Sequence, residues 1–170
     1  MRPSTTFVQV VRDPLLPWKA TTRMLRRAKD LGMETVVALD ARSAPGSREA
    51  IAPLIDRLLV FTTADVWPEG QLNTALDMGT REWAFIVSDD EEPSEALWDF
   101  ATKVPTPHDR QGRLYLWRPH MIAPLPDWSA HYRPLDTYQP RYLPREALRW
   151  PGGFAQMPVS LHPEVDFGLV

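Results

Sequence analysis

The chain has 170 residues, 44% hydrophobic and 24% charged, with a formal net charge of −3. That composition suits one globular domain with a real core, and it lacks the clustered excess of Lys and Arg that a nucleic-acid backbone calls for. Cysteine is absent, which excludes disulfides, thiolate metal sites and cysteine nucleophiles.

The opening MRPSTTFVQVVRD holds no apolar run long enough for a signal peptide or a membrane span, so a cytoplasmic location without a transmembrane segment is expected. Within it TFVQVV (6–11) is β-branched and apolar and predicts a first strand. From Trp18 to Leu31, Met24, Leu25, Ala28 and Leu31 recur at helical spacing, and Gly32 stands where a helix-ending glycine belongs. ETVVALD (34–40) reads as a second strand. Ile51, Leu54, Ile55 and Leu58 suggest a short helix, with Pro53 tolerable only in its first turn. RLLVFT (57–62) is a third strand, EGQLNTALDMG (69–79) a helix closed by Gly79, and WAFIVS (83–88) a fourth strand. PSEALWDFATKV (93–104) predicts a helix with Leu97, Phe100, Ala101 and Val104 on one face. Beyond it the chain changes character. Eleven of its 18 prolines lie between Pro105 and Pro163, and proline removes a backbone donor and breaks helices, so this part should be loops and short edge strands.

Strands that alternate with helices and are nearly continuous in apolar residues predict an α/β fold with a parallel sheet covered on both faces. In such sheets ligands sit beyond the carboxyl ends of the strands. The residues there are Arg12 and Asp13, Asp40, Thr62 to Asp65, and Asp89 to Glu92. Three of four strands deliver a carboxylate to one rim, which predicts an electronegative edge suited to a hard cation such as Mg²⁺ or Mn²⁺. The plainer alternative for the four acids 89–92 is a solvated helix start, where the helix dipole favours negative charge.

Four segments, in the family's order along the chain, resemble family 2 glycosyltransferases of the GT-A fold. GQLNTALDMGTREWAFIVSDDEEPSEAL (70–97) resembles the family's Asn-x-Ala-Leu helix leading into a strand that ends in Asp-x-Asp. VVALDARSAPGS (36–47) resembles its second strand and turn, and FVQVVRDP its first strand. REALRWPGGFAQMPVSLHPEVDFGLV (145–170) resembles its Gly-Gly-Phe and acid-motif segment. Here Ser88 stands at the first Asp of Asp-x-Asp, and Pro163-Glu164 at the Glu-Asp pair. The resemblance implies a single Rossmann-like GT-A domain over 1–170. Its nucleotide-binding part would be 1–104 and its irregular, Pro-rich acceptor side 105–170.

The resemblance also implies an inverting, metal-dependent transfer of sugar from a nucleotide-diphosphate donor, UDP-linked by default, to a glycan, lipid or protein hydroxyl. Asp90, Asp89 and His162 would hold a divalent metal, Mn²⁺ or Mg²⁺, that stabilises the leaving diphosphate. Val11, Arg12, Asp13, Asp40, Asn73, Ser88, Asp89 and Gly153 would bind the nucleotide sugar. Glu164, with Asp166 as alternate, would be the general base that takes the acceptor proton. Trp117, Trp128, Tyr132, Tyr138, Trp150 and Phe154 offer aromatic faces on the acceptor side, although core filling is the commoner use of such rings. For Asp40 the simpler alternative is a cap on the turn after its strand. A catalytically silent nucleotide- or glycan-binding form of the fold and a metal-dependent phosphohydrolase are the other functional readings.

Overall fold

The computed structural model describes residues 4–15, 20–62, 70–89, 93, 95–102, 114–117, 139–145, 148–149, 159–160 and 167–169. Four strands, β1 (Thr5–Val11), β2 (Glu34–Asp40), β3 (Arg57–Phe61) and β4 (Trp83–Ile86), lie parallel in the order β3-β2-β1-β4. Each of the four forms where an apolar run was expected. Beyond β4 the sheet continues through β6 (Gln139–Pro144), antiparallel to β4, then β5 (Leu114–Trp117) and β9 (Phe167–Leu169). The short strands β7 (Leu148–Arg149) and β8 (Val159–Ser160) form a separate antiparallel pair.

The Pro-rich part therefore supplies more than edges. β6 is an internal strand, paired on both sides. Pro144 is its last residue and Pro140 its second, and the register against β5 shifts between Tyr115 and Leu116. Prolines are tolerated there because strand ends and irregular register leave few backbone donors to satisfy.

Side-chain alternation places the core. Phe7 and Val11 of β1, Val37 and Leu39 of β2, and Trp83 and Phe85 of β4 face one side, with Met24, Leu25 and Ala28 of α1 (Thr21–Asp30) and Leu97, Trp98 and Ala101 of α4 (Glu95–Thr102) packed on them. Val8, Val36, Ala38, Ala84 and Ile86 face the other, covered by Leu72, Ala75 and Leu76 of α3 (Gly70–Met78). A period of two in the strands meets a period of about 3.6 in the helices, and both faces are sealed. The sequence pattern missed Trp98, which is 4% exposed. Its ring stacks on Phe7 at 5.5 Å and meets Phe85 edge-on at 5.2 Å, pinning α4 to the centre of the sheet.

The helix expected around Ile51 to Leu58 lies earlier. α2 is Ser47–Ile51, followed by one 3₁₀ turn at Ala52–Leu54, and Pro53 sits within the first turn of that piece. The apolar residues of 54–58 fit a helix as well as a strand entry, and pairing of β3 with β2 decides the matter. α1 ends as its glycine predicts. Gly32 takes φ 76°, its N–H bonds Lys29 O at 2.8 Å and the Met33 N–H bonds Ala28 O at 3.0 Å, the two bonds of a Schellman closure. Gly79 is needed for a different reason: a Cβ there would lie 3.0 Å from Thr6 Oγ1. That contact puts the end of α3 against the start of β1, so α3 runs antiparallel to the strands.

At the amino ends of the strands two acids anchor the layers. Glu34 accepts from Thr6 Oγ1 (2.7 Å), Thr80 N (2.7 Å), Thr80 Oγ1 (2.9 Å) and Arg57 Nε (3.2 Å). Asp56 accepts from Thr35 N (2.8 Å), Thr35 Oγ1 (2.9 Å) and Lys29 Nζ (3.4 Å). Burial pushes both carboxyls up, but the hydrogen bonds together outweigh it and hold both below their ordinary values. Among the described residues no helix is long and apolar enough to cross a membrane.

Candidate functional site

The carboxyl ends of β1, β2 and β4 meet on one edge of the sheet. β4 is followed by Val87, Ser88 and Asp89, which stay alongside β1. The Val87 N–H bonds Val8 O at 3.1 Å, the buried Gln9 donates from Nε2 to Ser88 O at 3.4 Å, and Asp89 Oδ2 accepts the Arg12 N–H at 3.0 Å. Asp89 is 9% exposed. Its carboxylate ties Arg12, just past the end of β1, to the segment that follows β4, which holds Val11, Arg12, Ser88 and Asp89 together. A sequence cannot announce such a tie, because its partners are 77 residues apart.

Asp13, next along, is half-buried. Its Oδ1 accepts from Leu15 N at 3.0 Å and from Ser47 Oγ at 3.3 Å, which fastens the turn after β1 to the first residue of α2. Asn73 lies on α3 and is half-buried. Because α3 runs back against the strands, its earlier residues lie toward the carboxyl edge and its end toward the amino edge.

Asp40 closes β2 and is 4% exposed. Its Oδ1 accepts from Arg42 N (2.9 Å) and Arg42 Nε (2.9 Å), and its Oδ2 from Arg42 Nη2 (2.6 Å) and Nε (3.2 Å). The hydrogen bond from the Arg42 side chain is the main cause that holds this carboxyl below the usual range, with the charges of Arg42 and Arg12 adding to it. Asp40 thus caps the turn after its strand. Arg42 is the rim residue that sequence reasoning missed. The only trace was an Asp-x-Arg spacing in a turn, and that spacing is common.

Arg12 and Arg42 stand among Asp13, Asp40 and Asp89, so the described part of the edge carries both signs. Among the described residues no three His, Asp or Glu side chains gather at metal-ligand spacing. Asp89 is the strand-end carboxylate aimed at that role, and one of its oxygens already holds the Arg12 N–H. By themselves the described residues do not make a divalent-cation site. Asp90, Gly153, His162, Glu164 and Asp166 lie outside the described residues. A separate open cleft of about 560 Å³ lies at the opposite, amino edge, between Lys29, Glu34, Asp56, Arg57 and Arg81. Its acids are bonded as anchors, which makes it a structural seam.

Comparison with solved structures decides the fold class. The crystal structure of S. aureus TarS superposes with a TM-score of 0.56 at 14% identity, over 83% of this chain and 28% of that one. The fold is Rossmann-like, of the GT-A type. This GT-A chain spans little more than a quarter of the TarS chain that it matches. A CMP:2-keto-3-deoxy-manno-octonic acid synthetase complexed with CTP aligns more loosely, with a TM-score of 0.41 at 12% identity over 84% of this chain and 74% of that one. No family model matches the sequence, and no curated protein matches it either.

Proposed function

We propose that this protein is a glycosyltransferase that moves a sugar from a nucleotide-diphosphate donor, UDP-linked by default, to an acceptor hydroxyl with inversion. One observation carries the reading: on a sheet with the GT-A fold of the glycosyltransferase TarS, Asp89 is fixed beside Arg12 at the edge where α/β sheets bind ligands. The acceptor oxygen would attack the anomeric carbon while Glu164, with Asp166 as alternate, takes its proton and the nucleoside diphosphate departs. Asp90, Asp89 and His162 are proposed to hold Mn²⁺ or Mg²⁺, which would offset charge on the departing diphosphate. Val11, Arg12, Asp13, Asn73, Ser88 and Gly153 would line the donor.

A second reading is favoured by two features of the rim. Ser88 stands where the family pattern has its first acid, and the Asp40 carboxylate is already occupied by Arg42. Both fit a chain that binds a nucleotide or glycan without turning it over. The test is a thermal-shift screen of the purified protein with Mn²⁺ or Mg²⁺ and UDP-, dTDP- and GDP-sugars, with nucleotide release measured separately. Binding plus release supports the transferase. Binding without release, across varied acceptors, supports the silent form, and binding of none sinks both.

A further inference from the structure

A carboxylate has about four acceptor positions, and at Asp40 three N–H groups of Arg42 arrive: the backbone N–H on Oδ1, Nη2 on Oδ2, and the single Nε–H shared between the two oxygens. With three donors on it and its side chain only 6% exposed, the carboxylate offers little reachable acceptor capacity to the base or ribose of a nucleotide. The exposed member of the pair is the arginine: the Arg42 side chain is 55% exposed and that of Asp40 only 6%. Asp40 is itself held by the backbone, with Ala41 N bonded to Phe61 O at 2.8 Å and Ser43 N to Asp40 O at 3.0 Å. The guanidinium is therefore gripped through Nε and Nη2, while its Nη1 makes no hydrogen bond among the described residues. A guanidinium held in one plane, with N–H groups to spare, matches the oxygens of a phosphate and loses little freedom on binding one.

A second cation stands nearby. Arg12 is exposed, its backbone N–H is fixed by Asp89, and its guanidinium makes no ion pair among the described residues. Its charge is close enough to Asp40 to act on that carboxyl. The half-buried Asp13 is the opposing charge on this side, and its Oδ1 is engaged by Leu15 N and Ser47 Oγ.

We propose that Arg42 and Arg12 form the anion-binding arm of the donor site and receive the diphosphate, with Asp40 acting as the positioning residue for Arg42 and not as a ligand of the nucleoside. The proposal rests on the nucleotide-sugar reading for the identity of the anion.

The experiment is calorimetric titration of the full chain, in EDTA at low salt, with pyrophosphate, with UDP, dTDP and GDP, and with the matching nucleosides. The variants are Arg42→Gln, Arg12→Gln and Asp40→Asn. Pyrophosphate and the preferred nucleoside diphosphate should weaken about tenfold or more in Arg42→Gln, where tenfold corresponds to about 1.4 kcal/mol. Asp40→Asn should lose affinity for the same anions while the nucleoside binds as to wild type. Arg12→Gln carries the test if Arg42→Gln does not fold, because the Arg12 side chain supports no ion pair among the described residues. Wild-type affinity for pyrophosphate in both arginine variants would overturn the arm, as would a wild type that does not bind pyrophosphate. Loss of nucleoside binding in Asp40→Asn, with tighter nucleoside binding in Arg42→Gln, would overturn it too, since Asp40 would then be the nucleoside ligand and Arg42 its competitor. Pyrophosphate binding that Arg42→Gln abolishes, in a protein that binds no nucleotide, keeps the arm and removes the nucleotide-sugar reading. A nucleotide bound equally by wild type and both arginine variants does the reverse.

Discussion

Asp89 separates structure from chemistry, because its carboxylate both ties two strands and points at the proposed donor site. Asp89→Ala removes the acceptor of the Arg12 N–H, a 3.0 Å hydrogen bond to a carboxylate that is 9% exposed. Hydrogen bonds to charged groups contribute about 1.5–3 kcal/mol, and a buried donor left without a partner costs about 1–3 kcal/mol. Because Arg12 is an exposed residue, water reaches part of the vacated site, and the expected loss is about 2 kcal/mol. For a chain of this size that corresponds to a fall of about 4–8 °C in Tm. Asp89→Asn keeps an oxygen in the same place but not the charge, so its loss should stay within about 1 kcal/mol. The two variants should nevertheless weaken nucleotide-sugar binding alike, by about tenfold or more, because the ligand role needs the charge. Urea denaturation gives the stabilities, and titration with the preferred nucleotide sugar in Mn²⁺ gives the affinities. An Asp89→Ala protein within about 0.5 kcal/mol of wild type would refute the structural tie. An Asp89→Asn protein with wild-type affinity would refute the chemical role.

Glu34 and Asp56 have folded-state pKa values below their ordinary ones. The stability they contribute is present above their unfolded pKa values of about 4 and is lost as pH falls through the folded ones. The urea midpoint should drop between about pH 5 and pH 3, less steeply in Glu34→Gln; a midpoint flat over that interval would contradict the assignment. Trp98→Ala should cost about 3–5 kcal/mol in urea, since it empties a buried site against Phe7 and Phe85; a loss below about 1 kcal/mol would mean that α4 is not held by this ring. Gly79→Ala should cost about 1–3 kcal/mol, because its Cβ would press on Thr6 Oγ1 at 3.0 Å. Calorimetric unfolding of that variant checks it, and an unchanged Tm would show that Thr6 yields freely.

Much of the parallel half is legible in the sequence. Continuous apolar runs such as FVQVV and TVVAL are what a strand buried on both faces requires, and Gly32 announced the end of α1 because a left-handed residue there avoids strain. The carboxyl rim followed from the same reading, since strand direction alone sends Arg12, Asp40 and Asp89 to one edge. Trp98 is not legible because the helical pattern passes equally well through Phe100, and the choice between them depends on which face meets Phe7 and Phe85. The position of α2 is not legible because Leu54 to Leu58 satisfy two periods at once, and only pairing with β2 resolves them.

The sequence by itself determined the kind of fold and which residues gather at the carboxyl edge of the sheet, since hydrophobic period and strand direction are local properties of the chain. Tertiary structure decided what that edge is made of. Asp89 became a tie across 77 residues, and Asp40, which had read as one more negative charge, became the holder of an arginine. Charge counts add along a chain, but hydrogen bonds depend on which groups the fold brings within about 3 Å, and at this rim they join Asp40 to the Arg42 guanidinium and Asp89 to the Arg12 backbone.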